Sequence, residues 1–142
     1  MTTDPFNLQR FLTAQDEVYD DVLAELTAGH KESHWMWFVF PQVAGLGFSL
    51  NAEYYAIGSR SEAVAYLEHP ILGARLRECA GLLLAVDGKS ATELLGSPDD
   101  LKLRSSMTLF AQVAERDNIF TRVLEKYYSG VPDPATLTAL AV

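Results

Sequence analysis

The residue pattern predicts an all-α protein, a compact multihelical single domain over residues 1–142, on two observations. Helix start and stop signals bracket at least five stretches of helical periodicity, and no clear alternating strand appears outside residues 35–40. A chain of 142 residues also buries roughly two-thirds of its unfolded surface, so it can hold a core without disulfide or metal. Apolar residues make up 49% and charged residues 21%, an ordinary globular balance rather than a disordered one.

The elements follow in order. Asp4-Pro5 reads as N-cap and first helical position, because proline lacks only a donor that would be unpaired there. From Pro5 the apolar residues Phe6, Leu8, Phe11, Leu12, Val18, Tyr19, Val22, Leu23 and Leu26 recur at helical spacing to a stop at Gly29. Asp16, Glu17, Asp20, Asp21 and Glu25 fall mostly off that stripe and read as a solvated face. Residues 35–40 are aromatic enough for a strand but lack strict alternation and are bounded by Pro41, so a short buried helix is equally allowed. Residues 43–51, with Gly45 and Gly47, read as a loop.

Ser61 is a plausible cap for a helix carrying Ala63, Val64 and Leu67, and Pro70 starts another that runs through Leu76, Cys79 and Leu83 to the turn at Asp87-Gly88. Ser90-Ala-Thr-Glu93 is a capping box opening a short helix ended by Gly96. Ser97-Pro98-Asp99-Asp100 places two carboxylates in a first turn, where the helix dipole favours them, and leads a helix to about Glu115. Phe120, Val123, Leu124 and Tyr127 mark one more, ended at Gly130, and a short C-terminal helix is expected after Pro132 and Pro134.

Composition excludes several roles. The net charge of −8 argues against a general nucleic-acid binder, which gains affinity from many contacts of Lys and Arg to phosphates. The start Met-Thr-Thr-Asp-Pro lacks the basic and apolar regions of a signal peptide, and the longest apolar runs are too short for a membrane span, so a cytoplasmic protein without membrane contact is expected. The single cysteine, Cys79, sits in an apolar run and reads as a buried thiol in a reducing compartment. Oligomeric state is not legible.

The chain is organised around Lys31–Ser49, which sets His34, Gln42 and Ser49 among Trp35, Trp37, Phe38, Phe40 and Phe48. An apolar pocket with a few convergent polar groups needs this mixture. His34 reads either as a core histidine bonded to a carbonyl or as a pocket acid, base or donor. Two residues apart, Trp35 and Trp37 share a face on a strand but point about 200° apart on a helix. At least one reads as core, and either could stack on a planar ligand. Gly45-Leu-Gly47 before Ser49 would let backbone amides approach an anion, though it is also a common turn. His30 and His34, four apart, have no third metal ligand and do not follow the metalloprotease order, so neither metal nor cofactor is expected.

A second constellation runs from Asp99 to Phe110. On a helix Lys102 falls near Ser105 and Ser106, with Asp99 and Asp100 a turn earlier, so a cation, hydroxyls and carboxylates can converge. The competing reading has Asp99 as cap, Lys102 and Arg104 as solvated side chains, and the hydroxyl residues as packing.

These stretches resemble a bacterial family known as domain of unknown function 1810. The resemblance is carried by Asp4-Pro5-Phe6, Arg10-Phe11, Ala14-Gln15, Lys31, His34-Trp-Met-Trp-Phe-Val-Phe-Pro-Gln42, Gly45-Leu-Gly47, Tyr55-Ala-Ile-Gly58, Ala65-Tyr-Leu67, His69-Pro70, Leu72-Gly73, Arg75-Leu76, Glu78-Cys79 and Asp99–Phe110. It covers nearly the whole chain and implies a compact multihelical fold, with His30 outside the pattern. Some members carry the name calpastatin, but that inhibitor is a disordered segment that folds on its protease, whereas this chain is rich in apolar residues at helical spacing. The loop Phe48-Ser49-Leu-Asn51 is more loosely similar to a domain family associated with processing ADP-ribose and related nucleotides.

Together these readings point to a pocket for a small anionic ligand with a planar ring, nucleotide- or ADP-ribose-like, where glycosidic cleavage is a reaction such a site would allow. Trp35 or Trp37 would stack, Gln42 and Ser49 orient, Lys31 and Lys102 meet the anion with Ser105 and Ser106 beside them, and His34 or Asp100 handle protons. His34 and Lys102 are expected to line one pocket, since a small all-α domain has room for few. The rival reading is a non-catalytic interaction module whose acidic face meets a basic partner.

Overall fold

The computed structural model describes residues 4–141. Among them the chain forms ten helices and no strand: α1 Gln9–Asp16, α2 Tyr19–Ala28, α3 Met36–Val39, α4 Leu50–Tyr54, α5 Arg60–Glu68, α6 Leu72–Ala85, α7 Ala91–Leu95, α8 Asp99–Ala111, α9 Ile119–Tyr128 and α10 Pro134–Leu140. The fold is therefore all-α. Helix α8 is the central element, packed against α3, α5, α7, α9 and α10, while α6 lies between α2, α5 and α9. The core is continuous and rich in rings. Phe11 meets Tyr66 edge-on at 5.1 Å, and Tyr66, Phe110 and Phe120 follow in a chain at 5.2 and 5.9 Å.

The N-terminal segment departs from the single helix expected from Pro5 to Gly29. The Asp4 carboxylate accepts from the amides of Leu8 and Gln9 at 2.8 and 2.9 Å, and Asn7 takes φ +52°, so a turn precedes α1. A second break at Glu17-Val18 separates α1 from α2 and lets each helix aim its own face inward, Phe11 and Gln15 from one, Val22 and Leu26 from the other. Gly29, at φ +72°, ends α2 as expected, and the His30 amide reaches back to the Glu25 carbonyl at 3.0 Å.

Other boundaries move for local reasons. Ser59, not Ser61, caps α5, its hydroxyl accepting from the Glu62 amide at 3.1 Å. Helix α8 ends at Ala111, four residues before Glu115. The capping box of Ser90 and Glu93 is formed as read, and Asn118 and Asp133 cap α9 and α10. The open choice at residues 35–40 resolves as the single-turn α3, with Trp35 fully buried and Trp37 half-buried, pointing apart as a helix requires. The loop at 43–51 already contains the start of α4. Its base is pinned by a parallel bridge between Val43 and Ile57.

Two polar clusters lock the fold. The Arg10 guanidinium donates to the carbonyls of Phe6, Asn7, Tyr54 and Ala56, and to Glu62 at 2.8 Å, while Glu62 Oε1 accepts from the Gly58 amide. Both side chains of this pair are 8% exposed. The second cluster corrects the reading of Glu25 as part of a solvated face. Its carboxylate accepts from the amides of Glu32 and Ser33, the Ser33 hydroxyl and the Trp35 indole, at 2.5–3.0 Å. Partial burial alone would raise its pKa, but the bonds from Ser33, Glu32 and Trp35 together outweigh it and hold the group down to about 2.

A pH dependence follows. Because the folded pKa lies below the ordinary value of 4.5, Glu25 contributes stability above that pH and loses it as pH falls towards about 2. Denaturant titrations from pH 5 to pH 2 are expected to show a flatter loss of stability in Glu25→Gln than in the parent. Parallel slopes would show that the carboxylate is not what titrates.

Candidate functional site

Two adjoining clefts meet at Lys102 and Pro98. The first, about 420 Å3, lies between the Leu46–Ala52 segment, α8 and the start of α10, and Gln42, Phe48, Leu101 and Ser105 are among its walls. The second, about 260 Å3, is bounded by Lys31, His34, Trp37 and Asp99, with the edge of Trp35 behind. His34 and Lys102 thus border the same cleft, although they lie 68 positions apart in sequence.

The basic cleft is built by long-range contacts. After α2 the Lys31 amide donates to the Leu94 carbonyl at 2.8 Å, which ties the loop to α7. The Lys31 ammonium then lies 2.9 Å from Asp99 Oδ2 and 5.1 Å from the Trp35 ring centroid, and only 6% of its side chain is exposed. Lys102, one turn along α8, sits 3.7 Å from Asp99 Oδ1 and 5.0 Å from the Trp37 centroid, with 24% exposed. Two cations therefore bracket one carboxylate, and each lies against an indole, an arrangement in which the ring quadrupole adds to the ion pairing.

The remaining residues divide. Gln42 is positioned by the bridge, where its carbonyl accepts from the Ile57 amide at 2.9 Å, and the residue lines the larger cleft. Ser49 caps α4 by accepting from the Ala52 amide at 3.1 Å, which leaves its own O–H free to donate. Ser105 faces the larger cleft but is bonded to the Leu101 carbonyl and Asp133. His34 is exposed at the rim, so the core-histidine reading does not hold.

Three side chains stand away from their expected places. Asp100 borders neither cleft. Its carboxylate accepts from the Thr92 hydroxyl at 2.6 Å and the Leu101 amide at 2.9 Å, because one residue along a helix turns it about 100° from Asp99 towards α7. Ser106 is turned from Ser105 by the same angle into the core, where its hydroxyl is buried without a hydrogen-bond partner. Trp35 is fully buried, with its N–H on Glu25 and Lys31 against its ring, so its faces are not open to a ligand, and Trp37 is the indole at the wall of the smaller cleft. Gly47 also has a packing reason, since a Cβ there would lie 2.6 Å from that of Ala52.

Sequence reasoning left Asp99 open between a cap and a carboxylate converging with Lys102, and missed that Lys31 shares it. The i,i+3 spacing to Lys102 was a visible signal, whereas the bond to Lys31 spans the fold. Leu101 and Asp133 on the larger cleft carried no signal of their own. Among the described residues no group of three or more His, Cys, Asp or Glu side chains is placed to hold a metal ion, and no helix is long and apolar enough to cross a membrane.

No curated protein matches the chain. The crystal structure of the conserved hypothetical protein Rv1873 from Mycobacterium tuberculosis is similar at 55% identity, with a TM-score of 0.96, over 98% of this chain and 99% of that one. The family described as "Protein of unknown function (DUF1810)" matches residues 5–140. With almost the entire helical domain inside that match, the chain belongs to the DUF1810 family.

Proposed function

We propose that the protein binds a small anionic ligand carrying a planar ring, nucleotide- or ADP-ribose-like, where the two clefts meet. The observation that carries this reading is the pair Lys31 and Lys102 about the single carboxylate of Asp99, in a chain whose net charge is −8. Their sum leaves one positive charge in a concave, partly desolvated place, where an anion is attracted more strongly than at an open surface. Trp37 offers a ring beside it, and Gln42 and Ser49 offer donors along the adjoining cleft. The reading is one of binding. With Asp100 turned to Thr92, His34 is the proton-carrying side chain of the expected pair that remains at the cleft.

Thermal unfolding with nucleotides and ADP-ribose tests this. A ligand at about one hundred times its dissociation constant stabilises the fold by about 2.7 kcal/mol, a shift of several degrees. His34→Ala and Lys102→Ala are each expected to remove most of that shift while leaving the unliganded melt nearly unchanged. A ligand response that survives in both variants would place binding elsewhere, and a large drop in the unliganded melt would make the residue structural.

A further inference from the structure

Resting on that reading, we infer that the ligand is a nucleoside monophosphate, one singly bridged phosphate at Lys102 with its base in the larger cleft, rather than a dinucleotide or diphosphate. Charge is the first argument. The basic cleft holds one uncompensated positive charge, from Lys31 and Lys102 against Asp99, and the larger cleft is also lined by Asp133, whose Oδ2 accepts from the Ser105 hydroxyl and from the amide and hydroxyl of Thr136. A second phosphate entering the larger cleft would meet that carboxylate, whereas ribose hydroxyls can donate to it. Of the two clefts, the one that holds Lys31 and Lys102 carries the positive charge an anion needs.

The second argument concerns apolar surface. Phe48 is 86% exposed and Leu101 59% exposed, and both border the larger cleft, so an aromatic ring and an aliphatic side chain stand open beside the lysine junction. Elsewhere Phe11, Tyr66, Phe110 and Phe120 are fully buried, and Tyr54, 56% exposed, is less open than Phe48. A base laid against Phe48 would cover this surface, and Gln42, on the wall of the same cleft, carries an amide of the kind that reads a base edge. The volume of about 420 Å3 is within the range of small-molecule sites. Lys102, common to both clefts, would join the two halves of the ligand.

Isothermal titration calorimetry with AMP, GMP, CMP and UMP, with adenosine, inorganic phosphate and ADP-ribose as comparators, decides the matter. At least one monophosphate is expected to bind ten times more tightly than adenosine, phosphate or ADP-ribose. Phe48→Ala should weaken that monophosphate about tenfold, the usual loss for one stacked base, and leave inorganic phosphate unchanged. Lys102→Ala should weaken both. ADP-ribose binding as tightly as the best monophosphate would overturn the single-phosphate inference while leaving the anionic-ligand reading intact. Binding of none of the compounds would end both. A monophosphate indifferent to Phe48→Ala, or a ligand-free dimer dissolved by that substitution in sedimentation velocity, would show that the exposed ring serves another purpose.

Discussion

Arg10→Ala is expected to lower the unfolding free energy by about 3–5 kcal/mol, the loss typical when one member of a buried ion pair is removed. Two costs combine. Glu62 is left buried with its cation gone, and the carbonyls of Phe6, Asn7, Tyr54 and Ala56 lose a donor that joins the start of α1 to the end of α4. For a domain of this size the melting temperature should fall by on the order of ten degrees. Removing both charges, in Arg10→Met with Glu62→Leu, should cost less than the sum of the two single changes, because no unpaired carboxylate remains buried. Urea unfolding of the four proteins measures the coupling. Simple additivity would mean that the pair is not the source of the effect.

Gly73→Ala is the other large change. A Cβ at residue 73 would lie 2.1 Å from the Leu67 carbonyl oxygen and 2.9 Å from its carbon, where the end of α5 meets the first turn of α6. The obstacle is backbone, so no rotamer change relieves it, and the two helices must separate. Overpacking of this kind costs about 3 kcal/mol, the upper part of the usual range. Gly88→Ala is a useful contrast, with open space around the added carbon but φ +73°. Its cost should reflect left-handed backbone alone, about 1 kcal/mol. Equal losses in the two variants would refute the contact at Leu67.

What the sequence disclosed and what it withheld divide along the range of the interactions. Capping boxes and glycine stops are local, so the helix at Ala91–Leu95 and the end of α2 at Gly29 were legible from adjacent residues. The helical alternative at residues 35–40 implied that the two indoles point apart, and the structure buries Trp35 fully and Trp37 by half. The break between α1 and α2 was hidden, because the apolar spacing passes through Glu17-Val18 without interruption and only packing against other helices requires two directions.

The candidate site shows the same division. That Lys102, Gln42 and His34 border clefts was foreseen from polar groups interrupting apolar patterns. That Asp99 rather than Asp100 faces Lys31 depends on the rotation of α8 within the fold, a quantity set by its five neighbouring helices. Glu25 was misplaced for a similar reason. Its partners at residues 32, 33 and 35 follow a reversal of the chain at Gly29, which sequence spacing on a helix does not reveal.

The one cysteine has a practical consequence. Cys79 is fully buried on α6, its thiol 3.8 Å from the Tyr19 hydroxyl, and burial pushes its pKa up to about 12. Alkylating reagents act on the thiolate, so modification in the native state must wait for α2 and α6 to part. The molecule thus contains its own clock for opening, read by mass spectrometry as a single added label per chain. Timed against nucleotide concentration, the labelling rate would register whether a ligand bound at α8 slows an opening event between α2 and α6.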